Sequence, residues 1–414
     1  MTDSAQMRTP SRAAFAFVFV TVMLDMLALG IIVPVLPKLV IEFRGGDAAS
    51  AATIYGLFGT VWAAMQFLFS PVLGALSDRY GRRRVILLSN FGLGIDYVFM
   101  AVAPTLPWLL VGRVISGITS ASYSTAGAYI ADVTPPDQRA AKFGMLGAAF
   151  GIGFVVGPAV GGMLGSIGLR LPFWLAAALS LANAAYGYFI LPESLPPERR
   201  APFQWRRAHP LGALELLRSR PGLFGLAMAG FLSILAHDSM PSMFVLYADY
   251  RYGWDERAVG LVLATVGISS MIVQGGVIGP VVRKLGERRS LFIGLVCGAL
   301  GLTVYAWAPT GTLFMIGVPL TALYGFANPS LQGLMTRRVG PTEQGQLQGA
   351  NGSLMGIASM IAPVLFTQTF ALAIGAVGGL HLPGAPFLLA ALMLVGSLMV
   401  AWRVTSDRLA QRIS

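Results

Sequence analysis

The sequence is poor in charged residues and has little cysteine or histidine. Charged residues make up 11% of the 414, whereas a soluble domain has about 25%, so the chain cannot cover itself with a hydrated surface. Cys297 is the one cysteine, which excludes a disulfide framework and a cysteine-based metal site. The three histidines, His209, His237 and His381, are too scattered to indicate a metal cluster. This composition indicates that lipid surrounds most of the chain.

The signatures of common soluble enzymes are also missing. No glycine-rich loop followed by a lysine is present to cradle nucleotide phosphates. Glycine is dense between residues 147 and 162, but no β-strand precedes this run, so it is not a dinucleotide-binding fingerprint. The sequence also offers no arrangement of a nucleophile with a base. We therefore expect neither an enzyme nor a bound cofactor or metal ion.

Long apolar runs are abundant instead. Hydrophobic residues make up 55% of the chain, and its mean hydropathy is +0.70. An α-helix rises about 1.5 Å per residue, so about 20 apolar residues cross the roughly 30 Å hydrocarbon core of a bilayer. The runs predict an all-α membrane protein with twelve transmembrane helices, at residues 13–36, 51–73, 85–103, 106–130, 143–165, 171–191, 222–247, 257–281, 290–308, 311–335, 346–371 and 384–403.

The predicted helices form two copies of one unit. The segment GALSDRYGRRR at 74–84 returns as GPVVRKLGERR at 279–289, an offset of 205 residues (279 − 74). The same offset relates AVAPT at 101–105 to AWAPT at 306–310. We predict two pseudo-symmetric six-helix halves joined by a polar cytoplasmic linker, with boundaries at 1–191, 192–221 and 222–414.

The basic residues predict how the chain is oriented. The formal net charge is +11, and with both termini in the cytoplasm most of the 29 lysines and arginines fall in the tails and in the loops on that side. Such an excess is typical of the cytoplasmic loops of membrane proteins. It predicts a multi-pass protein of the bacterial inner membrane with both termini cytoplasmic. Because topology explains the charge, we do not expect nucleic acid as a partner.

Five acidic, basic or histidine residues lie within predicted helices away from their ends: Asp25 in the first, Asp96 in the third, Arg113 in the fourth, and His237 and Asp238 in the seventh. An ionisable group near the bilayer centre costs about 2.5–3.5 kcal/mol on insertion scales and usually marks an ion or substrate path. Asp25 lies near the middle of its helix. We expect its carboxylate to alternate between a proton and a cationic substrate.

The other four residues allow a structural interpretation as well. Arg113 is expected either to act as a fixed charge that balances an acid or tunes Asp25, or to pack in an ion pair. Asp96 either lies on the path or pairs with a neighbouring polar group. His237 and Asp238 either move protons or are simply hydrogen-bonded.

The loop between helices two and three carries a dense group of charges. Gly74 and Gly81 permit a tight connection, because glycine adopts positive φ without steric cost. Asp78 is placed to accept hydrogen bonds from a helix end and to pair with an arginine across the seam between the halves, which would latch one face closed. The predicted gating loop consists of Gly74, Asp78, Arg79, Gly81, Arg82 and Arg83.

The fifth predicted helix is crowded with glycine. Small residues at close intervals predict tight helix packing. They also suit a rocking interface between the halves, with a bend set by the proline. The two roles are compatible, and the residues concerned are Gly153, Gly157, Pro158, Gly161 and Gly162.

These motifs resemble those of the major facilitator superfamily, and more closely its twelve-helix drug/proton antiporter branch. GALSDRYGRRR resembles the loop between helices two and three, residues 108–132 the helix-four motif, and GIGFVVGPAVGG at 151–162 the antiporter motif of helix five. LDMLALGIIVPVLP from Leu24 and QGQLQGANGSLMGIASMIAPVLFT from Gln344 are similar to the tetracycline efflux proteins.

The resemblance implies a secondary transporter that exports a hydrophobic drug, tetracycline-like or other, in exchange for protons by alternating access. It implies Asp25, Asp96 and Arg113 in the cavity and proton path, and Asp78 and Arg82 in the gating loop. The expected partners are the small substrate, protons and the lipid bilayer, and we expect a monomer. A proton-coupled metabolite transporter on the same fold is the alternative, followed by a non-transporting membrane sensor.

At two positions the chain departs from the tetracycline exporters. Ser270 stands where they have a histidine in helix eight, and Gly298 where they have an aspartate in helix nine, whereas Gln274 matches. The second half has thus lost two ionisable groups and has His237 and Asp238 in helix seven instead. We include Gln274 with these two among the predicted proton and substrate residues.

Overall fold

A computed structural model describes the chain at residues 12–120, 122–134, 139–200, 214–218, 221–340, 343–375 and 381–410. These residues form helices joined by short turns, without a β-strand among them. We call the membrane-crossing segments spans 1 to 12. Spans 1–6 make up the first half and spans 7–12 the second half.

The first half contains eight helices. Span 1 contains α1 (Arg12–Ile32) and α2 (Leu36–Phe43), span 2 is α3 (Ala48–Tyr80), span 3 is α4 (Arg82–Val102), span 4 contains α5 (Leu106–Thr119) and α6 (Ser122–Val133), span 5 is α7 (Arg139–Gly165), and span 6 is α8 (Leu171–Ile190). A 3₁₀ turn (Pro197–Arg199) and α9 (Glu215–Arg218) follow. Residues 201–213 and 219–220 of the predicted linker lie outside the described residues.

The second half has the same order. Span 7 contains α10 (Pro221–His237) and α11 (Ser239–Tyr252). Span 8 contains α12 (Glu256–Ile272), a π-helical turn (Val273–Val277) and the start of α13 (Ile278–Trp307), and the rest of α13 is span 9. Span 10 contains α14 (Gly311–Leu323), a 3₁₀ turn (Tyr324–Phe326) and α15 (Ala327–Thr336), span 11 is α16 (Gln344–Ile374), and span 12 is α17 (Ala385–Ala410).

Length and composition support all twelve spans. Among the described residues, nine helices are long and apolar enough to cross a membrane. One of these, Glu256–Trp307, bends at Gly286, where φ is 79°, and supplies both span 8 and span 9. Two shorter apolar helices, Leu106–Thr119 and Gly151–Gly165, belong to spans 4 and 5. The prediction of an all-α protein with twelve transmembrane helices is confirmed.

Some helices continue beyond the predicted ends. The apolar run predicts a helix at 51–73, whereas α3 runs from Ala48 to Tyr80. Its first turn is capped by the Asp47 carboxylate, which accepts hydrogen bonds from the backbone N–H groups of Ala49 and Ser50. Its last turn is polar. Hydropathy marks the length that lies in lipid, and a helix with polar side chains continues freely into water.

The internal repeat is also present in the backbone. α1 ends at Ile32 and α10 at His237, so the breaks in spans 1 and 7 are 205 residues apart (237 − 32). Gly81 and Gly286, again 205 apart (286 − 81), both have positive φ, of 100° and 79°. The two halves therefore share the break in their first span and the bend after their second span. The residue boundaries proposed for the halves and the linker stay a prediction.

The two halves touch near one membrane face and separate near the other. We call the side with Gly81 and Gly286 the Gly81 face, and the opposite side the Lys38 face. Spans 5 and 8 pack so closely at Gly260 and Gly267 that neither position has room for a side chain. A Cβ on these glycines would lie 2.3 Å and 2.5 Å, respectively, from atoms of span 5. Closer to the Gly81 face, a Cβ on Gly151 would lie 3.7 Å from Met271.

Span 2 shows the same divergence from span 11. A Cβ built on Gly59 would lie 2.8 Å from the Cβ of Pro363, near the Lys38 face. Near the Gly81 face the space beside two glycines is open. A Cβ on Gly74 of span 2 or on Gly279 of span 8 would have no atom of another described helix within 4 Å. The seam between the halves is therefore closed at the Lys38 face and open at the Gly81 face.

Candidate functional site

The Asp25 carboxylate on span 1 is hydrogen-bonded to an asparagine on span 6, the last span of the same half. Its side chain lies in the middle of span 1 and the residue is 4% exposed. The Nδ2 group of Asn183, on span 6, donates to Asp25 Oδ1 at 3.1 Å and to the carbonyl oxygen of Thr21 at 3.2 Å. Because Thr21 lies one helical turn before Asp25, the amide bridges one turn of span 1 at the height of the carboxylate.

Asp96 and Arg113 form a buried ion pair between spans 3 and 4. Arg113 Nη2 lies 3.2 Å from Asp96 Oδ2 and also donates to the Met100 sulfur at 3.0 Å. Gly112 makes room for this pair, since a Cβ there would lie 2.7 Å from Asp96 Oδ1. Each charge offsets much of the cost of removing the other from water. This ion pair fits both roles considered for Arg113, a fixed charge that balances an acid and a packing contact, and the acid is Asp96.

Tyr97 lies near both the hydrogen-bonded residues Asp25 and Asn183 and the Asp96–Arg113 ion pair. It is 2% exposed, and it lies close enough to Asp25, Asp96 and Arg113 for all three charges to act on its hydroxyl. The structure thus brings the three predicted residues of the first half together. It places them inside the helix bundle, so that in this conformation they are shielded from the open side of the seam.

His237 and Asp238 lie at the break in span 7 and face different neighbours. The His237 ring stacks on Tyr324 of span 10, with centroids 5.5 Å apart and planes 20° apart. Asp238 Oδ2 accepts a hydrogen bond of 2.9 Å from the hydroxyl of Ser359 on span 11. Tyr324 in turn is hydrogen-bonded to Ser233 at 2.7 Å. Sequence analysis missed Tyr324 and Ser359, whose only signal is a hydroxyl within an apolar run.

A cavity inside the second half joins several residues that sequence analysis treated separately. His237, Ser270 and Gly298 all line it, together with Met240 and Tyr324. Ser270 and Gly298, the two positions at which the sequence analysis expects a departure from the tetracycline exporters, therefore share one cavity with the imidazole. Gln274 lies elsewhere. It is exposed in the π-helical turn of span 8, with Cγ beside Gly325 of span 10.

The predicted gating loop folds onto its own half. Arg82 Nη1 lies 2.5 Å from Asp78 Oδ1 and donates to the Ser77 hydroxyl at 2.6 Å. The expected partner of Asp78 was an arginine across the seam, but the halves are separated at this face and Asp78 pairs with Arg82 four residues later. The latch across the seam therefore stays a prediction.

The other loop arginines are held by aromatic rings. The Arg79 guanidinium lies 5.0 Å from the centre of the Tyr80 ring, and that of Arg83 lies 5.8 Å from the centre of the Tyr188 ring. Cations are attracted to the faces of aromatic rings. Arg83 also donates to the carbonyl oxygen of Tyr188, which ties the loop to the end of span 6.

Two acids that sequence analysis missed fix this loop in place. Asp132, at the end of span 4, accepts from Arg82 Nε and from the Ser194 hydroxyl, both at 3.1 Å. Glu193 accepts from the backbone N–H of Arg82 at 2.8 Å and fills the space beside Gly81. Their signal in the sequence is that each follows an apolar run on the same side of the membrane as the loop.

Three glycines of span 5 face span 1. Gly153, Gly157 and Gly161 recur every four residues and so lie on one side of the helix. A Cβ on Gly161 would lie 2.0 Å from the carbonyl oxygen of Ile31, and one on Gly157 would lie 2.7 Å from the Cα of Gly30. These glycines allow two helices of the same half to approach closely.

Gly162 and the carbonyl group of Pro158 face span 8 of the other half, whereas the Pro158 ring lies against Gly30 of span 1. A Cβ on Gly162 would lie 2.3 Å from the carbonyl oxygen of Glu256. The carbonyl oxygen of Pro158 would lie 2.3 Å from a Cβ on Gly260. The packing role and the seam role predicted for this motif are thus carried by two different sides of one helix.

An ion pair joins the two halves at the Lys38 face. Lys38 on α2 pairs with Asp249 on α11, and its Nζ also donates to the carbonyl oxygen of Trp254 at 2.8 Å. The side chains are 12% and 28% exposed. Partial burial strengthens such a pair relative to one in open solvent. Sequence analysis counted Lys38 only as a basic residue of an outer loop.

Twelve spans in two repeated halves, closed at one face and open at the other around buried charges, are the architecture of a membrane transporter. The chain belongs to the Major Facilitator Superfamily, whose family model matches residues 18–363. The family and the relatives below point to a transporter rather than an enzyme.

Two curated relatives match nearly the whole chain. It is 38% identical over 361 residues to the tetracycline resistance protein, class C, of Escherichia coli, covering 87% of this chain and 90% of that protein. It is 37% identical over 368 residues to the class G protein of Vibrio anguillarum, covering 89% and 93%. The crystal structure of the human organic anion transporter MFSD10 has the same fold, with a TM-score of 0.70, 23% identity and coverage of 94% and 99%.

Proposed function

We propose that this chain is a proton-coupled antiporter that exports a hydrophobic, drug-like compound from the cytoplasm by alternating access. The observation that carries the proposal is the set of ionisable residues buried at membrane depth in the first half, Asp25, Asp96 and Arg113. Relatives named as tetracycline resistance proteins support drug export and make tetracyclines the first compounds to test.

Each buried residue has a proposed role. Asp25 carries the proton. The Asp96–Arg113 pair supplies fixed charges near it, and Tyr97 lies between them. His237, Asp238 and Gln274 contribute the second half of the path for protons and substrate. Since Ser270 and Gly298 bring no charge to the cavity beside His237, the imidazole is its proposed ionisable group.

The proposed location is the bacterial inner membrane, with a monomer whose termini both lie in the cytoplasm. The Gly81 face is then the cytoplasmic face, and the structure corresponds to the conformation that loads substrate from inside. Opening of the Lys38 face would release the substrate and admit protons.

Compound-driven proton movement in proteoliposomes tests this function. Purified protein is reconstituted, a pH-sensitive dye is enclosed, and tetracyclines, cationic dyes and hydrophobic drugs are added one at a time. A substrate is expected to change the internal pH only in vesicles that contain protein. No pH change with any compound, from protein shown to be folded, would overturn proton-coupled drug export. It would favour a metabolite as the native substrate.

Replacement of Asp78 by asparagine tests the gating loop. Asp78→Asn keeps the shape of the side chain but removes its charge. That charge pairs with Arg82 and, in the proposed state with a closed Gly81 face, with an arginine across the seam. We expect about a tenfold fall in transport with unchanged protein levels. Asp255→Asn is the matched control, because this exposed aspartate caps α12 and asparagine caps helices equally well. Normal transport by Asp78→Asn would rule out the latch.

Two adjacent glycines separate folding from gating. Gly161→Ala places a methyl group against span 1 in the same half, so we expect a lower melting temperature, from about 1–3 kcal/mol of overpacking. Gly162→Ala places it against span 8 across the seam, so each half should stay folded while closure of the Lys38 face is impaired. Melting curves and transport rates should therefore be affected separately. Equal effects of both variants on stability would contradict this assignment.

A further inference from the structure

Asn183 is placed to control the carboxyl group of Asp25. The residue is fully buried in span 6, and its Nδ2 group reaches both Asp25 Oδ1 and the carbonyl oxygen of Thr21. It therefore holds the carboxylate from a helix that packs against span 1, 158 residues away in sequence. A hydrogen-bond donor in this position stabilises the ionised form of the acid.

The other end of the amide has no such contact. Asn183 Oδ1 is buried without a hydrogen-bond partner in the described part of the structure. A buried acceptor left without a donor is costly, so it calls for an explanation. Protonation of Asp25 would supply one, because a carboxylic acid has an O–H donor that a carboxylate lacks.

An amide suits an acid that changes its charge. Its two ends are nearly equal in shape, and a half-turn of the group exchanges donor for acceptor. Nδ2 bonds the carboxylate, and after the half-turn Oδ1 accepts from the carboxylic acid. Leucine, of similar size, offers neither, and aspartate offers acceptors only when ionised.

We propose that Asn183 is a positioning residue that keeps the Asp25 carboxyl group in one place in both of its protonation states. This inference rests on the proposed function, in which Asp25 carries the proton. Asn183 itself carries no proton. Its effect is on how readily Asp25 releases one.

Other ionisable groups near Asp25 are unchanged in Asn183 variants. Tyr97 on span 3 acts electrostatically with Asp25, and the Asp96–Arg113 pair lies beyond it. On the helices packed against α1, the described ionisable side chains are Tyr129, Asp132, Lys142, Tyr186 and Tyr188. A change in pH dependence on replacing Asn183 therefore reports on its own contact with Asp25.

The acid limb of the transport profile provides the test. Below a certain pH transport is lost because Asp25 stays protonated, and the midpoint of this loss can be measured in proteoliposomes. Asn183→Leu removes both contacts with the Asp25 carboxyl group. The hydrogen bond to the ionised carboxylate is the stronger of the two, so the midpoint is expected to rise by about one pH unit. Asn183→Asp has the same shape and adds a second carboxylate beside Asp25, so its midpoint should rise further. Asn183→Gln retains the side-chain amide, with its N–H donors and its C=O acceptor, and should restore part of the wild-type profile.

A buried asparagine elsewhere in the same half is the matched control. Asn90 on span 3 is 0% exposed, and neither polar atom of its side chain has a hydrogen-bond partner among the described residues. Asn90→Leu should leave the midpoint unchanged. An unshifted midpoint in folded Asn183→Asp, which needs no repacking, would overturn the proposal even if Asn183→Leu does not fold. Transport by the wild type that does not depend on pH would instead show that the proposed function has failed.

Discussion

Asp25→Asn is expected to abolish proton-coupled transport and to leave the protein folded. Asparagine has the shape of aspartate, and its Oδ1 still accepts the hydrogen bond from Asn183. It cannot titrate, so no proton can be exchanged for substrate at this position. A neutral group is also easier to bury in the middle of span 1 than an ionised one. The folded state should therefore not be weakened.

The expected loss is at least a hundredfold, to the level of protein-free vesicles, because removing the group that carries the proton removes the coupled step itself. The measurement is substrate-driven pH change in proteoliposomes, with melting curves to verify folding. Asp47→Asn is the matched control. This exposed aspartate caps α3 through Ala49 and Ser50, and asparagine serves equally well there. A wild-type rate in Asp25→Asn would remove this residue from the proton path.

Reversal of the charge at Lys38 is expected to open the Lys38 face. Lys38→Asp would set two carboxylates against each other where an ion pair now joins α2 to α11, and the hydrogen bond to Trp254 would be lost. Like charges in contact destabilise the closed conformation, and we expect a fall of about tenfold in its population and in transport. The exchanged pair, Lys38→Asp with Asp249→Lys, restores opposite charges and should recover much of the activity.

Cross-linking between the halves measures closure directly. The Thr60 hydroxyl donates to the carbonyl oxygen of Met360 across the seam at 2.7 Å. Cysteines at these two positions, in a Cys297→Ser background, should form a disulfide in the closed state. The yield should fall in Lys38→Asp and return in the exchanged pair. Arg44→Asp, at an exposed position after α2, controls for a general effect of charge. A low yield in both the single and the exchanged variant would argue against pairing as the cause.

The architecture could be read from the sequence to a large extent. Apolar length predicted twelve spans because the bilayer fixes how many residues a crossing helix needs. The 205-residue offset predicted a repeat that recurs in the backbone at Gly81 and Gly286. Asp25, Asp96 and Arg113 could be singled out because charge is rare within apolar runs, and the structure places all three in one buried region.

Contacts between spans were harder to predict. The glycine motif of span 5 does not reveal that Gly161 faces span 1 while Gly162 faces span 8, since that depends on how the helix is rotated. Asn183 lies within an apolar run, and Asp132 and Glu193 each follow one, but the sequence does not show what they contact. Their importance comes from partners far away in sequence.

The sequence by itself determined the number of spans, the repeat and the identity of the buried charges, because lipid imposes length and penalises every charge it meets. The tertiary structure decided which residues pair: Asp96 with Arg113, Asn183 with Asp25, and Lys38 with Asp249. The reason is that lipid and protein interior are both apolar, so a membrane helix carries little pattern to show which side faces its neighbours. Only the packing of the helices brings those sides together.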